Sequence, residues 1–357
     1  MIFQRSLIRE FSSLALAVFA TLFAITLTTQ LIRLLGQAAS GLLVTDGVLA
    51  LLGFAALNYL PVLLSLTLFI SVLMALSRCY RDSEMVIWFS SGQSLAAWIR
   101  PVLAFAAPMV IVVALLSLFL SPWAIGKADD FRRQMQNRDD TSRVTPGVFR
   151  EASGADRVFF VEAIDGDEMN VQNVFVAQAE KGESSVLVSQ RGFRETAPNG
   201  DKFVVLLNGR RYDGIAGALD YRIMEFARYA IRVAARDPTR QQISTKSMST
   251  VGLWEDGTNP ALAELLWRIG LPLSALVLSL LAIPLSFVNP RASRSLNLVF
   301  ALLTYMFYVN LISIAQAWVA QGRMEFAHGW WAVHAGMLAV FMGLMAKRFR
   351  VGGGWRR

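Results

Sequence analysis

The sequence predicts an α-helical polytopic membrane protein of six spans, three and three, with an all-β domain inserted between spans three and four. Three observations predict it. The 357-residue chain is 55% hydrophobic and 17% charged, and its mean hydropathy of +0.46 is too high for a soluble globule of this size. Its uncharged stretches fall into six runs, each near the roughly 20 helical residues that cross about 30 Å of hydrocarbon. Between the third and fourth runs the composition turns polar and rich in Val, Phe and Ile over residues 126–260.

Span one covers 11–32. Its apolar run is too long for a signal-peptide core and no small-residue cleavage site follows, so a retained helix is expected. Span two, 48–77, leads into RCYRDSEMVIWFSSGQ at 78–93, the one strongly polar interruption between long apolar runs that still reads as structured. Asp82 is placed to cap a helix of about two turns, Glu84 sits in its first turn where the dipole favours an acid, and Gly92 supplies a stop. Met85, Trp88 and Phe89 then share one face, suited to a membrane surface or a partner's groove.

Span three covers 101–125, span four 269–289, span five 295–321 and span six 326–346. Pro101 and Pro108 fall in span three, Pro272 and Pro284 in span four, and the turn Asn289-Pro290-Arg291 stops span four abruptly. Glu264 and Arg268 form an i,i+4 pair beside Trp267 at the outer boundary, an anchor for span four. Trp98, Trp123, Trp318, Trp330 and Trp331 also lie near span ends, where indole rings prefer the headgroup level.

Orientation follows from Lys and Arg. One side collects Arg5, Arg9, Arg78, Arg81, Arg100, Arg291, Arg294, Lys347, Arg348, Arg350, Arg356 and Arg357; the other holds Arg33 and Arg323. Both termini and the 83–92 helix are therefore expected in the cytoplasm, and the insert outside it.

The insert carries 19 Lys and Arg against 20 Asp and Glu, whereas the rest of the chain carries 15 against 6. The +8 excess thus belongs to the membrane boundary facing anionic lipid, which excludes a nucleic-acid surface. Within the insert, RVFFVEAI, NVFVAQ, SVLVSQ, KFVVLL and YRIMEFARYAIRV read as strands. Ser153-Gly154, Asp165-Gly166, Pro198-Asn199-Gly200 and Asp213-Gly214 read as turns. An antiparallel sandwich or open barrel is expected, with Phe159, Phe160, Phe175, Val186, Val188, Val204 and Leu206 as candidate core positions. Only about half can point inward. Residues 237–260 read as a polar connector back to the membrane, so the chain divides as 1–125, 126–260 and 261–357.

Several functions are excluded by what the sequence lacks. There is no G-x-x-x-x-G-K-[ST] to cradle nucleotide phosphates, no H-E-x-x-H and no G-x-S-x-G. The spans contain no carboxylate to relay protons or coordinate an ion, which disfavours a proton- or sodium-driven transporter. The lone Cys79 has no partner for a disulfide. His328 and His334 are six apart, the wrong spacing for ligands on one helix face, and read as an interfacial and a packed histidine. No catalytic residue, metal or cofactor is expected. A membrane body that borrows its energy remains; the rivals are a scaffold transmitting ATP hydrolysis to an external machine and an intramembrane enzyme.

Taken in order, RLLG closing span one, SEMVIWFSSG, GVFREA, VFFVEAIDG, LNGRRYDG, ELLWRIGLPL and VNPR resemble the permease subunits of the lipopolysaccharide exporter. The F-type is the nearer and its G-type sister the alternative. The resemblance implies an ABC-transporter membrane subunit paired with the sister permease and a dimeric cytoplasmic ATPase. It further implies a periplasmic β-jellyroll that hands lipopolysaccharide from the inner membrane to periplasmic bridge proteins. The 83–92 helix becomes the coupling helix, with Glu84 as polar contact and Met85, Trp88 and Phe89 filling the ATPase groove. Arg33 is placed to meet a lipid A phosphate. Thr21, Thr26, Thr28, Thr29 and Gln30 on span one, with Asn310 and Gln316 on span five, would face the lipid cavity.

Overall fold

The computed structural model describes residues 2–40, 43, 47–142, 147, 149–151, 157–165, 170–180, 183–196, 202–215, 221–234, 244–287 and 294–353. The chain divides into two compact units, one of Met1–Arg132 with Ser244–Arg357, the other Arg133–Ile243.

The first unit is helical. Helix α1 spans Ile2–Ala39, α2 Val48–Arg81 and α3 Glu84–Ser90. A 3-10 turn, Leu95–Trp98, enters α4 at Ile99–Leu115; a π-helical turn, Leu116–Leu120, then joins it to α5, Ser121–Ser142. After the sheet come α6 (Thr250–Asp256), α7 (Asn259–Leu285), α8 (Arg294–Ala320) and α9 (Phe326–Gly353). Among the described residues six helical segments are long and apolar enough to cross a membrane, three before the sheet in chain order and three after. The third is continuous over Leu95–Met135, 41 residues or about 60 Å at 1.5 Å per residue. It runs past the composition change at Gly126, which lies close to Ser247.

α2 and α7 form the centre, with 72% and 67% of their most apolar windows buried, against 11% for α1. Small residues explain the close approach: Ser71, Ala75, Ser274, Ala275, Ser279 and Ala282 are all buried. The Ser71, Ser274 and Ser279 hydroxyls donate to carbonyls three residues back, so burial leaves them satisfied. Tyr308 and His334 join α8 to α9 through a 2.7 Å hydrogen bond, which makes His334 the packed histidine expected; His328 is exposed.

The second unit carries an antiparallel sheet of β1 (Arg150–Glu151), β2 (Arg157–Asp165), β3 (Asn170–Glu180), β4 (Glu183–Thr196), β5 (Lys202–Ile215) and β6 (Tyr221–Ala234). The strands pair in chain order. This is a meander, and among the described strands none of the crossovers that mark a jellyroll occurs. Two of its irregularities have one cause. Asn173 and Asn208 adopt φ of 48° and 52°, and the ladders skip each of them together with the residue opposite while the register stays the same on both sides; the register shift of a bulge falls instead at Lys202/Phe203, between β5 and β6. Buried Ser189 fills the second break by donating to the Arg191 and Leu207 carbonyls.

The left-handed residues also re-aim side chains. The buried cluster is Val174, Leu187 and Leu206, with Val171, Val176, Val204, Phe226, Tyr229 and Ile231 against it. Of the predicted core positions Val204 and Leu206 lie in it. Val188 is exposed, and Phe160 and Phe175 stack instead with the exposed Phe149; Val186 is half-buried, and the side chain of Phe159 lies outside the description. Asp213-Gly214 is no turn: both continue β5, paired with Ser185 and Ser184 on one side and Arg222 and Tyr221 on the other. Burial works to raise the Asp213 carboxyl, but hydrogen bonds from Arg211 and Ser185 prevail and leave it below the ordinary carboxylate value. The turns at Ser153-Gly154 and Pro198-Asn199-Gly200, and Gly166, lie outside the described residues, as do Asn289, Pro290 and Arg291.

Candidate functional site

Three places concentrate the polar chemistry. The first is the elbow between α2 and α3. Asp82 caps the C-terminus of α2, its N–H donating to the Arg78 carbonyl and the Ser83 N–H to the Tyr80 carbonyl, and Ser83 takes the N-cap position of α3 at φ 60° without a side-chain cap. The expectation that Asp82 caps α3 is therefore corrected. Its carboxylate is held 3.1 Å from Arg78 Nη1, one turn back on α2. Gly92 at φ 89° closes the helix, its N–H bonded to the Phe89 carbonyl.

Arg78 is the hub of this elbow. Its Nε and Nη2 grip both oxygens of Glu10 on α1, the latter at 2.8 Å. Nη1 lies 2.7 Å and Nη2 3.4 Å from the two oxygens of Glu84. One guanidinium thus spans two carboxylates through both of its forks, an arrangement its planar donor set permits and an ammonium does not.

The apolar face of α3 is also reassigned. Met85 is 1% exposed, and its sulfur accepts from Trp98 Nε1 at 2.8 Å. Trp88 meets Trp98 edge to face at 6.2 Å. Met85 is thus enclosed in the protein's own core, and Trp88 packs half-buried against it. Trp98, expected at the headgroup level, is itself buried. Outward-facing are Val86, Ile87 and Phe89, at 65%, 67% and 41% exposure. Sequence reasoning missed Val86 and Ile87, since the signal that turns α3 is Trp98, thirteen residues on from Met85.

The second place is a buried knot at the other end of α7. Arg268 is 2% exposed, and all five of its N–H donors have partners. Nε reaches Glu264 at 3.1 Å; Nη1 reaches the Met248 carbonyl at 2.9 Å and Thr250 Oγ1 at 3.2 Å; Nη2 reaches the Thr245 and Lys246 carbonyls at 3.3 and 3.0 Å. The Arg268 carbonyl in turn accepts from Ser117 at 3.0 Å, and Thr250 donates to the Leu118 carbonyl, both in the π turn. The segment from Ser244, expected as an irregular connector, is thereby docked on α7 and on span three. Trp267 packs half-buried against the core beside it.

The third place is the outward side of α1 and α8. Arg33, Thr29 and Asn310 are exposed, and Gln30 and Gln316 half-buried. Thr21, Thr26 and Thr29 return their hydroxyls to carbonyls one turn back on α1, and Asn310 Nδ2 does the same to Met306. Arg33 has no hydrogen bond or ion pair among the described residues. α1 packs on α2 and α4, and α8 on α7, α9 and α2. Among the described residues no metal-ligating cluster of His, Cys, Asp and Glu is found.

Comparison with known proteins matches residues 5–347 to the model of the lipopolysaccharide export system permease LptF/LptG family. The chain belongs to this permease family. The permease is 30% identical over 343 residues, 95% of this chain and 93% of the relative, to the lipopolysaccharide export system permease protein LptF of Escherichia coli K12. The protein of the same name from Shigella flexneri gives the same values. The match takes in all three polar places of the permease, with both the elbow and the knot inside its limits, and it makes the chain a multi-pass inner-membrane protein.

Proposed function

We propose that this chain is the F-type permease subunit of the lipopolysaccharide exporter, drawing the lipid from the inner membrane and passing it to periplasmic bridge proteins. The observation that carries the reading is the family match from residue 5 to 347, which takes in every span and the whole sheet. In this reading the sister G-type permease completes the lipid cavity and a dimeric cytoplasmic ATPase supplies the energy; the chain itself catalyses nothing. The termini and α3 face the cytoplasm and the sheet the periplasm, in keeping with twelve Lys and Arg on one side and two on the other.

The elbow is the ATPase contact. Val86, Ile87 and Phe89 supply its apolar part, and Glu84, still 39% exposed beside Arg78, its charge. Arg33, unpaired at the outer end of α1, meets a lipid phosphate, with Thr29, Gln30, Asn310 and Gln316 lining the way. The meander takes the acyl chains over its apolar face at Val174, Leu187 and Leu206, or a bridge strand at its β6 edge.

The test is the assembled transporter in proteoliposomes with a periplasmic acceptor. A photo-crosslinker at position 33 is expected to label lipopolysaccharide, and Arg33→Glu to lower lipid capture more than Arg33→Ala without loss of assembly. A cavity that labels elsewhere and never from position 33 refutes the assignment of Arg33. Removal of the sheet is expected to leave ATP hydrolysis and abolish lipid release; release that persists refutes the conduit.

A further inference from the structure

Arg78 carries more charge opposite it than it can neutralise. Glu10 on α1, Asp82 at the end of α2 and Glu84 on α3 all lie within ion-pair distance of it, and Arg81 lies 3.9 Å from Asp82, so the elbow sets three carboxylates against two cations. The surplus is partly exposed, at 47% for the Asp82 side chain and 39% for Glu84, and it favours an incoming basic group. Glu10 is more enclosed, at 23%. A partner's cation therefore meets Glu84 and Asp82 first and leaves Arg78 to Glu10.

The three carboxylates sit on three different pieces of chain. α3 is tied to α2 by the two residues Asp82 and Ser83 and is seated on the core by Met85 and Trp88. α1 has no such covalent tie to α3. Its buried contacts sit towards its two ends, with Leu7, Phe11 and Ala15 at one and Leu34 at the other, and it is the least enclosed span. Among the described residues, the polar link from α3 to α1 is Glu84 to Arg78 to Glu10.

We propose that Arg78 is a positioning residue that couples α3 to α1: taking Glu84 from one fork strengthens the grip of the other on Glu10 and shifts the cytoplasmic end of α1. This deepens the reading of α3 as the ATPase contact and of α1 as a cavity wall, and rests on it. The coupling has the two-state element such a claim needs, since Glu84 pairs either with Arg78 or with the partner.

The experiment uses the assembled transporter, with lipid released to acceptor counted per ATP hydrolysed. Glu10→Gln, an isosteric change that neutralises the α1 carboxylate, is expected to leave ATPase association intact and lower lipid released per ATP roughly fivefold, the low end of a typical coupling free energy. Arg78→Lys, which keeps the charge and loses the forks, is expected to do the same. The exchange Glu10→Arg with Arg78→Glu restores a pair between α1 and α2 but sets position 78 against Glu84. It is expected to recover thermal stability and not transport. Wild-type coupling in Glu10→Gln or Arg78→Lys overturns the proposal, as does full transport by the exchange, which would make the contact a simple clamp. Ile87→Asp tests the underlying reading separately: if the ATPase still binds and is stimulated, α3 is not its contact, whatever Glu10→Gln does.

Discussion

Arg268→Met removes the cation at the centre of the buried knot on α7. Methionine fills much of the same space, so the loss is electrostatic. Glu264 keeps its carboxylate at 10% side-chain exposure with its cation gone, and breaking a buried pair from one side costs about 3–5 kcal/mol. The Thr245, Lys246 and Met248 carbonyls lose their donors together, which frees the 245–250 segment. At roughly 2–4 °C per kcal/mol for a unit of this size, the melting temperature of the detergent-purified complex falls by about 6–20 °C. Glu264→Leu added to Arg268→Met removes the stranded carboxylate and is expected to recover part of the loss, since a buried ion pair replaced by apolar residues is often neutral. Recovery stays incomplete because the carbonyls remain without donors, at about 1–3 kcal/mol for any that stay buried. Limited proteolysis reports the segment directly, with new cleavage after Lys246 in both variants. A single variant that melts with wild type, or a double variant restored in full with no new cleavage, refutes the argument that Arg268 holds this segment.

Other expectations follow from the elbow and the sheet. Met85→Ala empties a buried site under Trp98 and lowers stability by about 2–5 kcal/mol. Ile87→Asp, on the exposed face, leaves the melting temperature alone and lowers co-purification of the ATPase, so the two substitutions separate seating from docking. Gly209→Ala sets a methyl against the Phe226 ring and the Val188 carbonyl, and costs about 1–3 kcal/mol as overpacking, read as faster proteolysis of the insert. Asp213 titrates lower in the folded sheet than when unfolded. Its contribution is therefore complete above the ordinary carboxylate value and is lost as pH falls through the folded one. Asp213→Asn flattens that acid limb by less than about 1 kcal/mol, because the side chain is 29% exposed, as hydrogen exchange of β4 and β5 will show.

The spans were legible because a charge in hydrocarbon is costly, so uncharged runs mark them directly. The strands were legible as hydrophobic β-branched runs, but their faces were not. Left-handed backbone at Asn173 and Asn208 interrupts the alternation, and Asp213-Gly214, a turn by composition, is held in β5 by neighbours on both sides. At the elbow, helical spacing found α3 and its stop at Gly92 but not its orientation. Which face turns inward is decided by Trp98, which lies beyond the reach of i,i+3 and i,i+4 arithmetic. Arg78, four residues before Asp82, was the available signal that Asp82 belongs to the helix behind it. The Glu264–Arg268 pair was legible as spacing, whereas four of the five donors of Arg268 go to partners other than Glu264, and the three backbone carbonyls among those partners carry no residue signature.

The same accounting sorts the polar residues on the outward sides of α1 and α8. A threonine in a span satisfies its hydroxyl on its own helix, as Thr26 and Thr29 do, so it can face lipid at little cost. Asparagine cannot. Asn310 spends one N–H on Met306, and its remaining amide groups make no hydrogen bond among the described residues, on a face shared with exposed Met306, Phe307 and Ile314. An unpaired amide moved from water into hydrocarbon costs several kcal/mol, and a free guanidinium at the end of α1 is stable only in a polar surrounding. Asn310 and Arg33 are therefore exposed positions at which lipid tails alone make a poor neighbour, Gln30 and Gln316 share the cost in part because they are half-buried, and Thr21, Thr26 and Thr29 do not. A polar cavity wall or a second subunit on these faces removes that cost at Arg33 and Asn310, whereas Thr26 and Thr29 need neither.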